Sequence, residues 1–80
     1  MLQDTQTVRC YQRITDALVA QWNRGYRTDD LRLYLEGYLA ALRHTEAIEP
    51  YLINQLEDES IRFLHDPSNF AMPESKFDYY

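Results

Sequence analysis

The chain has 80 residues, of which 45% are hydrophobic and 26% charged, with only two glycines and three prolines. This composition excludes a disordered chain and predicts one small domain, because a chain of this size removes only about 60% of its extended surface from water. The net charge of −5 at pH 7 argues against nonspecific binding to a phosphate backbone.

The first residues and the hydropathy pattern indicate where in the cell the protein is expected to lie. No stretch approaches the roughly 20 consecutive apolar residues that cross a membrane. The start, MLQDTQTVRC, lacks the basic-then-apolar order of a signal peptide. We therefore expect no membrane insertion and a cytoplasmic location. The single cysteine, Cys10, has no neighbours at metal-ligand spacing and is expected to lie at the border of a helix face.

The first predicted helix begins after Asp4 or Thr5, either of which can cap its first turn. Its expected inward face consists of Val8, Tyr11, Thr15, Leu18, Val19 and Trp22. Gly25 is predicted to end this helix in left-handed backbone geometry. A turn of about three residues then leads to the second helix, which predicts a helical hairpin or a sharply crossed pair.

The second predicted helix starts at Thr28 and is apolar around most of its circumference. One face holds Leu31, Leu35, Tyr38, Leu39 and Leu42, and the apolar surface continues through Leu33, Tyr34, Gly37, Ala40 and Ala41. One neighbouring helix covers only about a third of a helix, so this pattern predicts a central helix. Its second side is expected to be covered by the third helix, by another copy of the chain, or by both. Gly37 costs roughly 1 kcal/mol relative to alanine, which predicts a close backbone approach there.

Pro50 suits the first turn of a third helix. Its inward face is expected to hold Leu52, Ile53, Leu56, Phe63 and Leu64. The segment HDPSN, residues 65–69, is predicted to end the helix, because a proline disfavours helical geometry in the residue before it. Phe70 and Met72 are expected to fold back onto the core.

The predicted fold is therefore all-α: a three-helix domain over residues 1–72, formed by a helical hairpin and a third helix. Residues 73–80 are predicted to form an irregular, flexible tail that is acidic and aromatic. Within it, Phe77, Tyr79 and Tyr80 are candidate residues for docking to another protein.

The patterns of the common catalytic and metal sites are missing. His44 and His65 end two predicted helices, where the helix dipole is sufficient to explain them. No histidine pair has metal-ligand spacing, and no glycine-rich loop is available to hold a phosphate. We therefore expect a protein that is not an enzyme and that takes no metal or cofactor.

Two classes of function are compatible with these features. Tyrosine and arginine concentrate binding energy at interfaces, which predicts a protein-interaction module, an adaptor or regulator. It is expected to form a homodimer through helix two or to bind a heterologous protein. The candidate interface residues are Arg32, Leu33, Tyr34, Gly37, Tyr38 and Ala41.

The alternative function is a nucleic-acid-associated regulator that uses a helix-turn-helix face. Arg24, Arg27 and Arg32 cluster near the turn between the first two helices. Asp29 and Asp30 oppose this hypothesis, because their charges at the start of the reading helix repel phosphate. Nucleic acid is therefore the less favoured partner.

Three segments carry a resemblance to a known family: RGYRTDDLRLYLEGYLAALRH, IEPYLINQLEDE and RFLHDPSNFAMP. They resemble a family of short, uncharacterised cyanobacterial proteins of about this length. The resemblance covers about residues 1–72. It depends on sequence similarity along whole segments rather than on a catalytic signature. It implies a cytoplasmic bacterial protein of unknown function, with no active residues, cofactor or substrate to carry over.

Overall fold

The structure is a computed structural model that describes residues 2–70. Three α-helices follow one another in the order α1 (Thr5–Asn23), α2 (Thr28–Thr45) and α3 (Pro50–Leu64), and a short 3-10 helix, Pro67–Phe70, comes after them. No strand occurs in this part of the chain, so the prediction of an all-α, three-helix domain is confirmed. The predicted tail residues Phe77, Tyr79 and Tyr80, and also Met72, lie outside the described residues.

Local sequence signals set the bounds of α1. The carboxylate of Asp4 accepts a hydrogen bond from the backbone N–H of Thr7 at 3.0 Å, which satisfies a donor of the first turn. At the other end Gly25 has φ of +104°, and the N–H of Tyr26 donates to the carbonyl of Gln21 at 3.1 Å. This is the Schellman arrangement, in which a left-handed residue ends a helix. Both predicted ends of α1 are confirmed.

The other two helices also begin and end at residues suited to those places. The backbone N–H of Arg27 donates to the carboxylate of Asp30 at 3.0 Å, at the start of α2. Glu46 follows α2 with a left-handed φ of 57°. Pro50 is the first residue of α3, where a helix needs no amide donor. The predicted start of α3 is therefore confirmed.

The core consists of one side of each helix, closed by the 3-10 helix. Its buried hydrophobic residues are Cys10, Ile14, Leu18, Leu31, Leu35, Leu39, Ile48, Ile53, Leu56, Leu64 and Phe70. The predicted inward face of α1 is displaced, since its most buried positions centre on Ile14, which was not predicted. Of the predicted face, Tyr11 and Trp22 are half-buried and turn toward α3 and the 3-10 helix. The reason is that α1 packs against both α2 and α3, so its buried face is wider than the single apolar face expected for contact with one helix.

The prediction that α2 is the central helix is wrong. The central helix is α3, which contacts α1 and α2 more extensively than those two helices contact each other. α2 buries Leu31, Leu35 and Leu39 on one side, whereas Leu33 on the other side is 71% exposed. Glycine and alanine account for much of the remaining apolar surface of α2. Because these residues bring little apolar area, leaving them in water costs little free energy.

The 3-10 helix covers the end of the bundle. The ring of Phe70 lies 5.3 Å from that of Trp22 and 5.6 Å from that of Phe63. The side chain of Asn69 donates to the carbonyl of Phe63 at 2.9 Å, and Asp66 accepts from the N–H of Ser68 at 3.0 Å. The predicted return of Phe70 to the core is confirmed.

Candidate protein interface

One side of α2 is turned away from the core, and we call it the α2 outer face. It consists of Leu33, Gly37, Ala40, Ala41 and His44, all of which are exposed. At 100° per residue these five positions fall within an arc of about 100°. A Cβ built on Gly37 meets no heavy atom within 4 Å, so the close backbone approach predicted there does not occur within the described part of the chain.

A shallow cleft adjoins the start of the α2 outer face. Its volume is about 420 Å³, and its lining residues are Gln21, Arg24, Tyr26, Asp30, Leu33 and Tyr34. The cleft combines an exposed leucine with two tyrosines and an arginine, and tyrosine and arginine are enriched among the residues that dominate binding energy. Tyr26 was not among the predicted interface residues. No helical spacing relates it to Leu33, because Tyr26 lies in the turn before α2.

Tyr34 and Tyr38 border the α2 outer face on the side of α1. Their ring centroids lie 6.0 Å apart, and both side chains are half-buried. Burial raises the pKa of Tyr38 above its ordinary value, the neighbouring Cys10 and Tyr34 raise it further, and Arg13 opposes them. Tyr38 therefore packs toward α1, and the tyrosine pair forms a seam between the two helices.

Arg32 is separated from the other predicted interface residues. Its position lies about 140° around the helix from Gly37. Its guanidinium is 3.0 Å from Nε2 of His65, at the end of α3. The sequence grouped Arg32 with Leu33 and the residues that follow, whereas in the structure it lies on another side of α2, against the end of α3. The structure brings together Leu33, Gly37 and Ala41, with the tyrosine seam beside them.

The three arginines near the interhelical turn face different neighbours. The guanidinium of Arg27 lies 4.2 Å from the centre of a Trp22 ring and donates to the carbonyl of Tyr26 at 2.8 Å. Arg32 contacts α3, as described above, and Arg24 lines the cleft. The predicted helix-turn-helix face therefore does not present them as one cationic surface.

A second groove lies at the end of the bundle and has a volume of about 510 Å³. Its lining residues are Trp22, Thr28, Leu31, Leu64, His65, Pro67 and Phe70. The groove is mainly apolar, and its ionisable side chain, His65, is engaged by Arg32. Among residues 2–70, no three His, Cys, Asp or Glu side chains are grouped to hold a metal ion. The same residues include no helix that is both long and apolar enough to cross a membrane.

Comparison with known protein families places the chain. A family model described as a family of unknown function, DUF6761, matches residues 1–80. No curated protein and no solved structure is similar to the chain at a significant level. The match extends over all 80 residues and agrees with the resemblance to proteins of unknown function. The chain therefore belongs to the DUF6761 family.

Proposed function

We propose that this chain is a small, non-enzymatic protein-interaction module, an adaptor or regulator, that binds protein through the α2 outer face and its cleft. The observation that carries the proposal is the exposure of Leu33. Within residues 2–70 the strongly exposed large hydrophobic residues are Tyr26 (50%), Leu33 (71%) and Tyr51 (61%). Two of these three line one cleft. Single exposed hydrophobic residues are normal, whereas contiguous exposed apolar patches mark interaction sites.

The energetics of the cleft and of the α2 outer face are consistent with binding. Full burial of a leucine side chain stabilises a complex by about 1.5–3 kcal/mol relative to its exposed state. Gly37 and Ala41 follow Leu33 at successive helical turns, so a partner backbone can approach closely there. Arg24 at the edge of the cleft can donate several hydrogen bonds to a partner.

The test is affinity purification from the native cell with the full chain, followed by mass spectrometry. Leu33→Ser is expected to remove the proteins recovered with the wild type, because it removes the most exposed apolar group of the cleft. Tyr51→Ser is the matched control, since Tyr51 is an exposed residue on α3. Circular dichroism should show both variants folded. Recovery of the same proteins with Leu33→Ser as with the wild type contradicts the proposal.

Residues 73–80 enter the proposal as a second contact. The acidic and aromatic composition of this segment supports docking by Phe77, Tyr79 and Tyr80 to another protein. The same purification, repeated without residues 73–80, tests this role. A partner that needs these aromatic residues is lost, and an unchanged set of partners rules the role out.

We also propose that the protein acts in the cytoplasm of a cyanobacterium. The support is the resemblance of its three long segments to short cyanobacterial proteins. Fluorescence of a tagged chain spread evenly through the cytoplasm of such a host is the expected result. Fluorescence confined to the cell envelope contradicts it.

A further inference from the structure

We infer that the occupant of the α2 outer face is a second copy of the chain, packed antiparallel across a two-fold axis beside Gly37. The inference rests on the proposed function, because it assigns the partner of the same surface. Three properties of that surface carry it: the spacing of its residues about Gly37, the space above Gly37, and the charges at the two ends of α2.

Two pairs of residues on the exposed side of α2 are placed symmetrically about Gly37. Leu33 and Ala41 each lie four residues away, and Asp30 and His44 each lie seven residues away. A two-fold axis at Gly37 therefore brings Leu33 opposite Ala41 of the second copy. The same axis brings Asp30 opposite His44 of the second copy. Both pairs lie on the exposed side of the helix, since Asp30 falls about 20° from Gly37 around its axis.

The surface has the shape that such a contact needs. Leu33 projects into solvent, whereas the position of Gly37 is open and Ala41 has only a methyl group. In the antiparallel arrangement, Leu33 of each chain enters the hollow over Gly37 and Ala41 of the other. Each copy thus supplies both a projection and a hollow, as a two-fold interface between identical chains requires. Small residues at the crossing also allow the helix axes to approach closely.

The charges of α2 select the antiparallel orientation. Its first turn holds Asp29 and Asp30, and its last turn holds Arg43 and His44. A parallel pair sets four carboxylates side by side, whereas an antiparallel pair sets each acidic end beside a basic end. Arg43 is engaged by Glu57 of α3 at 2.7 Å, so His44 is the residue of the α2 outer face that can donate a hydrogen bond to Asp30 of the second copy. The opposed helix dipoles favour the same orientation.

Cysteine cross-linking of the full chain tests this geometry. Single cysteines replace Gly37, Leu33 or Ala41 in a chain that also carries Cys10→Ala, and circular dichroism confirms that each variant is folded. Under mild oxidation, Gly37→Cys is expected to form a disulfide-linked dimer. Leu33→Cys and Ala41→Cys are not, because each lies about 12 Å along the helix from its own symmetry mate, beyond the reach of a disulfide.

Mixing the variants completes the cross-linking test. Leu33→Cys together with Ala41→Cys is expected to form a mixed dimer, since these positions face each other. Tyr51→Cys, on the exposed surface of α3, measures random collision. If Gly37→Cys, Leu33→Cys and Ala41→Cys each form a disulfide-linked dimer when oxidised separately, the pair is parallel and the inference is overturned. Cross-linking of Gly37→Cys no faster than Tyr51→Cys also overturns it.

Sedimentation velocity gives a second test that does not depend on disulfides. Gly37→Leu fits the folded chain, because the added side chain enters open space, but it fills the hollow that receives Leu33. It is expected to raise the dimer Kd about tenfold or more. Gln55→Leu adds the same side chain at an exposed position of α3 and is expected to leave Kd unchanged.

The outcomes separate this inference from the proposed function. A wild-type chain that is monomeric at every concentration overturns the second copy as the partner. The proposed function then still stands if purification recovers another protein with the wild type and loses it with Leu33→Ser. If the wild type dimerises but Leu33→Ser leaves both dimer and partners unchanged, both ideas fail.

Discussion

The guanidinium of Arg32 in α2 lies 3.0 Å from Nε2 of His65, the residue that follows α3. Arginine can only donate hydrogen bonds, so a hydrogen bond between these two side chains has Nε2 of His65 as its acceptor. The contact joins α2 to the end of α3 at the edge of the groove that His65 lines. It stabilises the packing of the bundle and leaves the α2 outer face to other residues.

A double-mutant cycle measures this contact. Arg32→Ala, His65→Ala and the double variant are expected to give a coupling energy of about 0.5 kcal/mol in denaturant unfolding, since the pair is solvent-exposed. None of the three variants should change dimer Kd, because Arg32 lies away from the α2 outer face. Loss of self-association in Arg32→Ala would restore this residue to the interface.

The two glycines of the chain are expected to respond in opposite directions to alanine. At Gly37 the added methyl group meets no heavy atom within 4 Å, so Gly37→Ala should raise the free energy of unfolding by about 0.5–1 kcal/mol. Gly25 has φ of +104°, so Gly25→Ala should lower it by about 1–2 kcal/mol. Thermal unfolding at low protein concentration checks both values without a contribution from association. Changes of the same sign at the two positions contradict the prediction.

Two buried hydroxyl groups provide a second matched pair. Ser60 of α3 is fully buried, and its Oγ has no hydrogen-bond partner in the described structure. Ser60→Ala should therefore raise the free energy of unfolding by about 1 kcal/mol. The hydroxyl of Thr7 is also buried but donates to the carbonyl of Asp4 at 3.0 Å. Thr7→Val should lower the free energy of unfolding by about 1 kcal/mol. Stabilisation by both substitutions contradicts the assignment of these partners.

The features that sequence predicted best are those that depend on a few adjacent residues. Asp4 caps α1, Gly25 ends it, and Pro50 starts α3, because each signal acts through the backbone of its own turn. The three-helix fold follows from these boundaries together with the helical spacing of leucines. Ile14 shows the limit of this reasoning. It is the centre of the α1 core face only because two other helices pack around it, and no local pattern specifies both neighbours.

The sequence predicts which residues of the candidate interface share a helix face, but not which residues other elements bring beside it. Leu33, Gly37 and Ala41 lie on one side of α2, as their spacing of four residues requires. Arg32 was grouped with them by proximity along the chain, although it lies about 100° around the helix from Leu33. Tyr26 joins the cleft only because the turn after Gly25 returns the chain beside α2, a relationship that requires coordinates.

Alkaline pH is expected to destabilise the fold through its half-buried tyrosines. Burial raises the pKa of Tyr38 above the ordinary value of 10.0, and burial, with Glu59 nearby, does the same for Tyr11. The folded chain therefore holds these phenolic protons more tightly than the unfolded chain does. Their contribution to stability is complete below 10.0 and is lost as the pH rises through the raised values.

Denaturant unfolding at neutral pH and at several pH values above 10.0 measures this dependence. Tyr38→Phe cannot ionise and should reduce the loss of stability at high pH while retaining most of the packing. Tyr11→Phe should have an effect of the same sign, because the pKa of Tyr11 is also raised. A pH dependence in Tyr38→Phe equal to that of the wild type would assign the loss to other groups.

The closing of the bundle by Phe70 predicts a large effect from one substitution. Phe70 is only 8% exposed, and its ring packs on those of Trp22 and Phe63. Phe70→Ala leaves a cavity at this end and should lower the free energy of unfolding by about 3 kcal/mol. For a domain of this size, that change lowers Tm by about 12 °C or more. Phe70→Leu retains most of the apolar volume and should cost about 1.5 kcal/mol or less. If Phe70→Ala and the wild type melt together, the 3-10 helix does not pack on the bundle in solution.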